Sequence, residues 1–171
     1  MRMQWEAMAL AMPEVDGHPN RREFRGVLTV ANAPSDRAPS GARGHKVMLT
    51  ARATERALPS LLGMAVDYAP ELDRHDAQRK VGIITSADLR PGTGQAHQLD
   101  VAGYLFERDF PEVVKEMARR RNELGMSYEI ADVRVVDTEA AVWVATEFKF
   151  TGAAVLLREK AAYQGTSMEV V

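Results

Sequence analysis

Short apolar runs separated by turns constrain the fold of this chain more than any other feature of its sequence. Six runs have the length and composition of β-strands, at residues 22–32, 64–70, 80–89, 97–106, 126–136 and 141–151. Two of them flank a Pro-Gly-Thr-Gly turn, which predicts a β-hairpin. The pattern favours an α+β domain dominated by antiparallel strands, in a small barrel or curled sheet with flanking helices.

Helical patterns are fewer. The clearest is at residues 110–125, where Asp109 can cap the start, Pro111 suits the first turn and Gly125 ends the segment. A shorter helix is predicted over 49–63, although Pro59 lies inside it. The tail, at 151–165, is compatible with a short closing helix.

The whole chain, residues 1–171, is expected to form one domain with two loose parts. These are a mobile N-terminal segment at 1–21 and a mobile loop at 33–46, which is rich in Pro, Gly, Ser and Arg. The loop has two interpretations. It is either a solvated connector or a segment that shapes a binding groove.

Composition excludes several classes of function. The net charge of −2 predicts no strong attraction to nucleic acid. The absence of cysteine excludes a disulfide scaffold, a Cys-ligated zinc and a thiol nucleophile. No run approaches the ~20 apolar residues of a membrane span, and the first residues are too acidic for a signal peptide. His18, His45 and His97 lack metal-ligand spacing to one another, so that no histidine-bound metal is expected.

Two polar residues are candidates for chemistry. His75 lies in a charged turn before a strand, and neutral imidazole near pH 7 is well suited to take a proton from a hydroxyl. Ser127 opens a strand after Gly125, where backbone N–H groups can hold an oxyanion. Each also has a structural interpretation, as a surface histidine and as a turn serine.

A third group would orient the histidine and stabilise its charged form. Glu147 is the preferred candidate, because alternation in its strand places it on one face with Trp143. It can equally be a solvated surface glutamate. Asp76, Glu129 and Asp132 are weaker candidates.

The order of these segments resembles that of the prohead (capsid maturation) proteases of tailed phages. The resemblance covers roughly residues 22–157. It rests on "LPSLLGMAVDYAPELDRHDAQRKVGIITSADL", on the hairpin strand "LDVAGYLF", on the helix "FPEVVKEMARRRNELG" and on the serine strand "GMSYEIADVRV". The chain departs from many members at Glu129, Ile130 and Gly152.

The resemblance implies a fold similar to the herpesvirus assemblins, with His75 and Ser127 matching the catalytic histidine and serine. It implies a serine protease that cuts scaffold, and often capsid protein and itself, inside the procapsid in the cytoplasm of a bacterial host. Its partners would be scaffold and capsid proteins, with self-association and without nucleic acid, membrane or cofactor. The alternatives are a non-catalytic capsid-assembly or scaffold-binding module and, less favoured because no Gly-x-Ser-x-Gly motif is present, an unrelated esterase.

Overall fold

Strands dominate the computed structural model of this chain, which describes residues 7–11 and 17–171. The described strands are β1 (Ala7–Ala9), β2 (Arg22–Ala31), β3 (Lys46–Leu49), β4 (Ala65–Tyr68), β5 (Lys80–Pro91), β6 (His97–Leu105), β7 (Leu124–Val135), β8 (Val142–Leu157) and β9 (Ser167–Val170). The α-helices are α1 (Ala51–Ala57) and α2 (Pro111–Arg119), with 3₁₀ turns at Leu58–Leu61 and Arg158–Lys160.

All nine strands belong to one sheet, curled into a half-barrel, in the order β3-β8-β4-β5-β6-β2-β9. Strand β1 adds to β5 and strand β7 adds to β8. The pairs of β8 with β3 and β4 are parallel, and the others are antiparallel. The described part of the protein is therefore mostly β with two short helices, which agrees with the coarse α+β prediction.

Strand β8 organises the sheet because it is 16 residues long. Its first residues pair with β3, its later residues pair with β4, and β7 pairs along its other edge. One face of the sheet holds the main core, which includes the fully buried Phe24, Leu28, Ile84, Leu99 and Phe150. Burial of these large side chains supplies the main driving force for folding.

The predicted helix at 49–63 is shorter than expected. Thr50 caps α1 by accepting the N–H of Ala53, and Pro59 then limits the continuation to a 3₁₀ turn. The segment before it forms β3, whose four residues are too few to show a periodic pattern.

The helix predicted at 110–125 ends early, at Arg119. Leu124 and Gly125 already belong to β7. A Cβ at Gly125 would lie 2.6 Å from the hydroxyl oxygen of Thr166, so that this glycine permits a close approach within the barrel instead of ending the helix.

The prediction of a closing helix in the tail was wrong for most of its length. Strand β8 continues to Leu157, a single 3₁₀ turn follows, and β9 then pairs with β2. The expected mobile segment at 1–21 falls partly on residues 1–6 and 12–16, which lie outside the described residues. Its described part includes β1, which pairs with β5.

Candidate functional site

Three neighbouring strands place a serine and an aspartate in one row across the sheet. Ser127 on β7 pairs with Ala154 on β8, and Ala154 pairs in turn with Asp67 on β4. Directly paired residues point to the same face of a sheet. The adjacent residues Val66 and Ala153 belong to the main core, so that the row lies on the opposite face. Two strand spacings separate Ser127 from Asp67 by roughly 10 Å, a gap that one imidazole ring can bridge.

Asp67 is a charged residue within an apolar strand, and its side chain is only 1% exposed. Its Oδ1 accepts the backbone N–H of Asp76 at 2.9 Å, and its Oδ2 lies 3.5 Å from Nδ1 of His75 and 3.7 Å from Nζ of Lys80. Burial alone would raise the pKa of Asp67. The His75 contact, the Asp76 amide and the Lys80 charge outweigh burial and lower this pKa below its ordinary value. Asp67 is therefore a carboxylate at neutral pH.

The turn between β4 and β5 carries His75 to this face of the sheet. The turn is fixed at Leu72, whose side chain is buried and whose carbonyl oxygen accepts the N–H of Leu157 at 2.7 Å. The His75 side chain is 20% exposed. Neither ring nitrogen makes a hydrogen bond to a described residue. Because Nδ1 faces carboxylates, Nε2 is the nitrogen left to accept a proton.

A second carboxylate reaches His75 from β7. Glu129 lies two residues after Ser127, and its Oε1 is 3.5 Å from Nδ1 of His75. Gly152 lies opposite Glu129 on β8, and a Cβ there would come within 2.7 Å of Oε2 of Glu129. The glycine therefore leaves the space that the glutamate occupies. Glu129 is 47% exposed, whereas Asp67 is buried, so that Asp67 is the more firmly held of the two carboxylates.

Ser127 and His75 both line an open groove with a volume of about 900 Å³. This is within the range of ligand sites in proteins. Strand β7 contributes a continuous series of residues to it, from Ser127 to Ile130. The loop between β2 and β3 contributes residues 37–42.

That loop is joined to the rest of the protein at several points. The N–H groups of Asp36 and Arg37 donate to the carbonyl oxygen of Ala162 at 2.9 and 3.2 Å. The buried Ser35 accepts the N–H of Val47 through its hydroxyl oxygen at 3.0 Å. The loop between β2 and β3 therefore borders the groove, which agrees with the interpretation that this loop shapes a binding groove.

The structure does not bring Glu147 to this site. Glu147 lies seven residues along β8 from Ala154, roughly 23 Å at the rise of a strand. It is 62% exposed and lies 3.5 Å from Arg134. Among the weaker candidates, Asp132 is exposed and pairs with Lys149. The carboxylate of Asp76 accepts hydrogen bonds within its own turn. Only Glu129 of that group reaches His75.

Sequence reasoning missed Asp67, although a signal was present. The segment "MAVDYAP" was predicted as a strand, and Asp67 is its one charged residue. A carboxylate in the middle of an apolar strand requires polar partners if the strand is buried. The identity of the partners depends on the pairing of β4 with β8 and on the path of the following turn, which the local pattern does not contain.

Comparisons with protein-family models, with curated proteins and with solved structures found no significant match to this chain. Within residues 7–11 and 17–171, no cluster of three or more His, Cys, Asp or Glu side chains could hold a metal ion. In the same residues, no helix is long and apolar enough to cross a membrane.

Proposed function

We propose that this chain is a serine hydrolase, with Ser127 as nucleophile, His75 as general base and Asp67 as the orienting carboxylate. One observation carries the proposal. A buried, ionised aspartate contacts Nδ1 of a histidine and lies in register, on the same face of the sheet, with a serine two strands away. Serine, histidine and a buried carboxylate in these roles are the parts of a catalytic triad.

The chemistry follows from these positions. Asp67 favours the tautomer in which Nδ1 carries the proton, and Nε2 is then free to accept the proton of the Ser127 hydroxyl. The Ser127 oxygen attacks the carbonyl carbon of a peptide bond, and imidazolium returns the proton to the leaving amine as the C–N bond breaks. Water then attacks the acyl-enzyme, with His75 as base, and releases the acid product.

We further propose that the substrate is a protein. The open groove runs beside a strand, which suits an extended polypeptide better than a compact small molecule. The resemblance to prohead proteases supports phage scaffold as the substrate, within an assembling procapsid in the host cytoplasm. The curled sheet with short helices is compatible with an assemblin-like barrel that self-associates.

A second candidate is a capsid-assembly or scaffold-binding module without catalysis. It is favoured by the absence of a hydrogen bond from Nε2 of His75 to any described residue, Ser127 included. In unliganded hydrolases the hydrogen bond between base and nucleophile often tightens only when substrate binds, so that its absence here does not exclude the hydrolase.

Labelling with a fluorophosphonate that carries a fluorophore separates the two functions. The reagent phosphonylates an activated serine, and the labelled peptide can be identified by mass spectrometry. We expect stoichiometric labelling of the wild type at Ser127 and none of Ser127→Ala. Ser40→Ala is the matched control, because Ser40 is another serine that lines the groove. Absence of labelling in the wild type, alone and with scaffold added, would favour the binding module.

A further inference from the structure

The two ends of the groove differ in charge, and this difference carries an inference about the substrate. We infer that the groove selects polypeptides with an acidic side chain on one side of the scissile bond and bulky apolar side chains on the other. The inference deepens the proposed function and rests on it.

One end of the groove is cationic. Arg37 and Lys160 both line it, and they lie close in the fold because the N–H of Arg37 donates to the carbonyl oxygen of Ala162. Leu156 also lines this end and pairs with Gly125, which places the end on the Gly125 side of Ser127. In the part of the chain that the structure describes, the Arg37 and Lys160 side chains have no acidic partner.

The other charged residues of the groove do not cancel these two cations. Arg74 lies 3.3 Å from Asp73, so that this pair is neutral overall. Glu129 is directed to His75. Counted as formal charges, Arg37, Arg74 and Lys160 against Asp73 and Glu129 leave the lining with one net positive charge. Arg37 and Lys160 place positive charge at the Gly125 end, where a carboxylate of a bound polypeptide would be attracted to them.

The opposite end of the groove is apolar and well supported. Val133, Val135 and Trp143 line it. The indole of Trp143 stacks on the ring of His45, with centroids 4.6 Å apart, and its Nε1–H donates to the carbonyl oxygen of Thr138 at 3.0 Å. A fixed aromatic ring beside aliphatic side chains provides a surface for bulky apolar groups.

The inference predicts a definite cleavage pattern. A library of peptides with amidated C-termini is digested with the wild-type protein. Before cleavage, every carboxylate in such a peptide belongs to a side chain. Cleavage sites are read by mass spectrometry. We expect Asp and Glu to be enriched on one side of the scissile bond, and Leu, Ile, Val and Phe on the other. Enrichment of Lys and Arg, or no charge preference, would overturn the inference.

Charge reversal then tests the two cations directly. A cleaved acidic peptide is compared with its Asn or Gln counterpart, and the ratio of their kcat/KM values is measured. Arg37→Glu with Lys160→Glu should lower this ratio by about tenfold, which is the expected sum for reversing two exposed charges. The preference in the wild type should also fall as salt is raised.

A matched pair of substitutions controls for net charge. Arg52→Glu with Lys115→Glu changes the charge by the same amount at exposed positions on α1 and α2, outside the groove. This pair should leave the ratio unchanged, and an equal fall would overturn the inference.

Fluorophosphonate labelling separates failure of the substrate inference from failure of the proposed function. If Ser127 is labelled but the ratio of kcat/KM values does not respond to charge reversal, only the substrate inference fails. If the wild type is not labelled at all, the proposed hydrolase function fails.

Discussion

At the residue scale, Ser127 carries the clearest prediction. Ser127→Ala should lower proteolysis by at least about a thousandfold, because loss of the nucleophile disables the whole triad. The free energy of unfolding should change by less than about 1 kcal/mol, since the serine is only partly buried and loses one hydroxyl. Cleavage assays and urea denaturation measure the two effects. Near-normal proteolysis by the folded variant would exclude Ser127 as nucleophile.

The two carboxylates that face His75 can be ranked by substitution. Asp67→Asn should lower activity by orders of magnitude, because the amide no longer stabilises imidazolium and permits the wrong tautomer. Glu129→Gln should have a smaller effect, since this side chain is half-exposed and Asp67 remains. Glu147→Gln is the control, and its position predicts normal activity. The reverse ranking of Asp67 and Glu129 in kcat would assign the orienting role to Glu129.

The residue scale also shows how far sequence reasoning reached. His75 and Ser127 were candidates because each is a reactive group at a junction between a turn or helix and a strand, which is a local feature, and both line the groove. Asp67 was missed because its partners come from another strand and from a folded turn. Glu147 was preferred because apolar and polar residues alternate in its strand and place it on one face with Trp143. It lies too far along β8 from Ala154 to reach the histidine.

At the scale of elements, the strands with long alternating patterns were predicted well, namely β2, β5, β6 and the first part of β8. The four-residue β3 and β9 were not, because their apolar side chains are too few to define a period. The end of β8 extends beyond the strand predicted at 141–151 from the sequence pattern. Its run of small and apolar residues is buried on both faces and therefore does not alternate.

Strand β8 also provides a test of the row that forms the site. Ala154 lies between Ser127 and Asp67 and is fully buried. In the proposed triad the histidine ring must lie above this small side chain to reach both residues. Ala154→Val should lower fluorophosphonate labelling at least about tenfold, because the added methyl groups displace His75, and should destabilise the fold by about 1–3 kcal/mol.

The neighbouring residue on β8 gives the matched control. Ala153 is equally buried but faces the main core. Ala153→Val should cause a similar loss of stability while folded protein is still labelled at Ser127. Labelling is measured below the melting temperature of each variant and normalised to folded protein. Equal labelling of the two variants would contradict the placement of His75 above Ala154.

At the scale of the whole molecule, the fold class could be predicted because alternating strands and the hairpin turn are local signals. The order of the strands in the sheet could not. It depends on β8 pairing with β3 and β4 on one edge and with β7 on the other, and both β3 and β4 are far from β8 in sequence. The same pairing assembles the site, since Asp67 and Ser127 come together only when β4 and β7 flank β8.

Stability of the whole molecule against acid should reflect the buried Asp67. Its pKa in the folded protein is lower than the ordinary value of 3.8, so that the ionised carboxylate stabilises the fold above pH 3.8. That contribution is lost as the pH falls through the lowered pKa of the folded state. The difference in unfolding free energy between wild type and Asp67→Asn should therefore be larger at pH 7 than at pH 3, as measured by urea denaturation. Asp132→Asn, at an exposed position, reports the effect of removing one surface carboxylate. A difference between wild type and Asp67→Asn that stays constant, or that grows toward acid pH, would show that Asp67 is not held as a carboxylate by its neighbours.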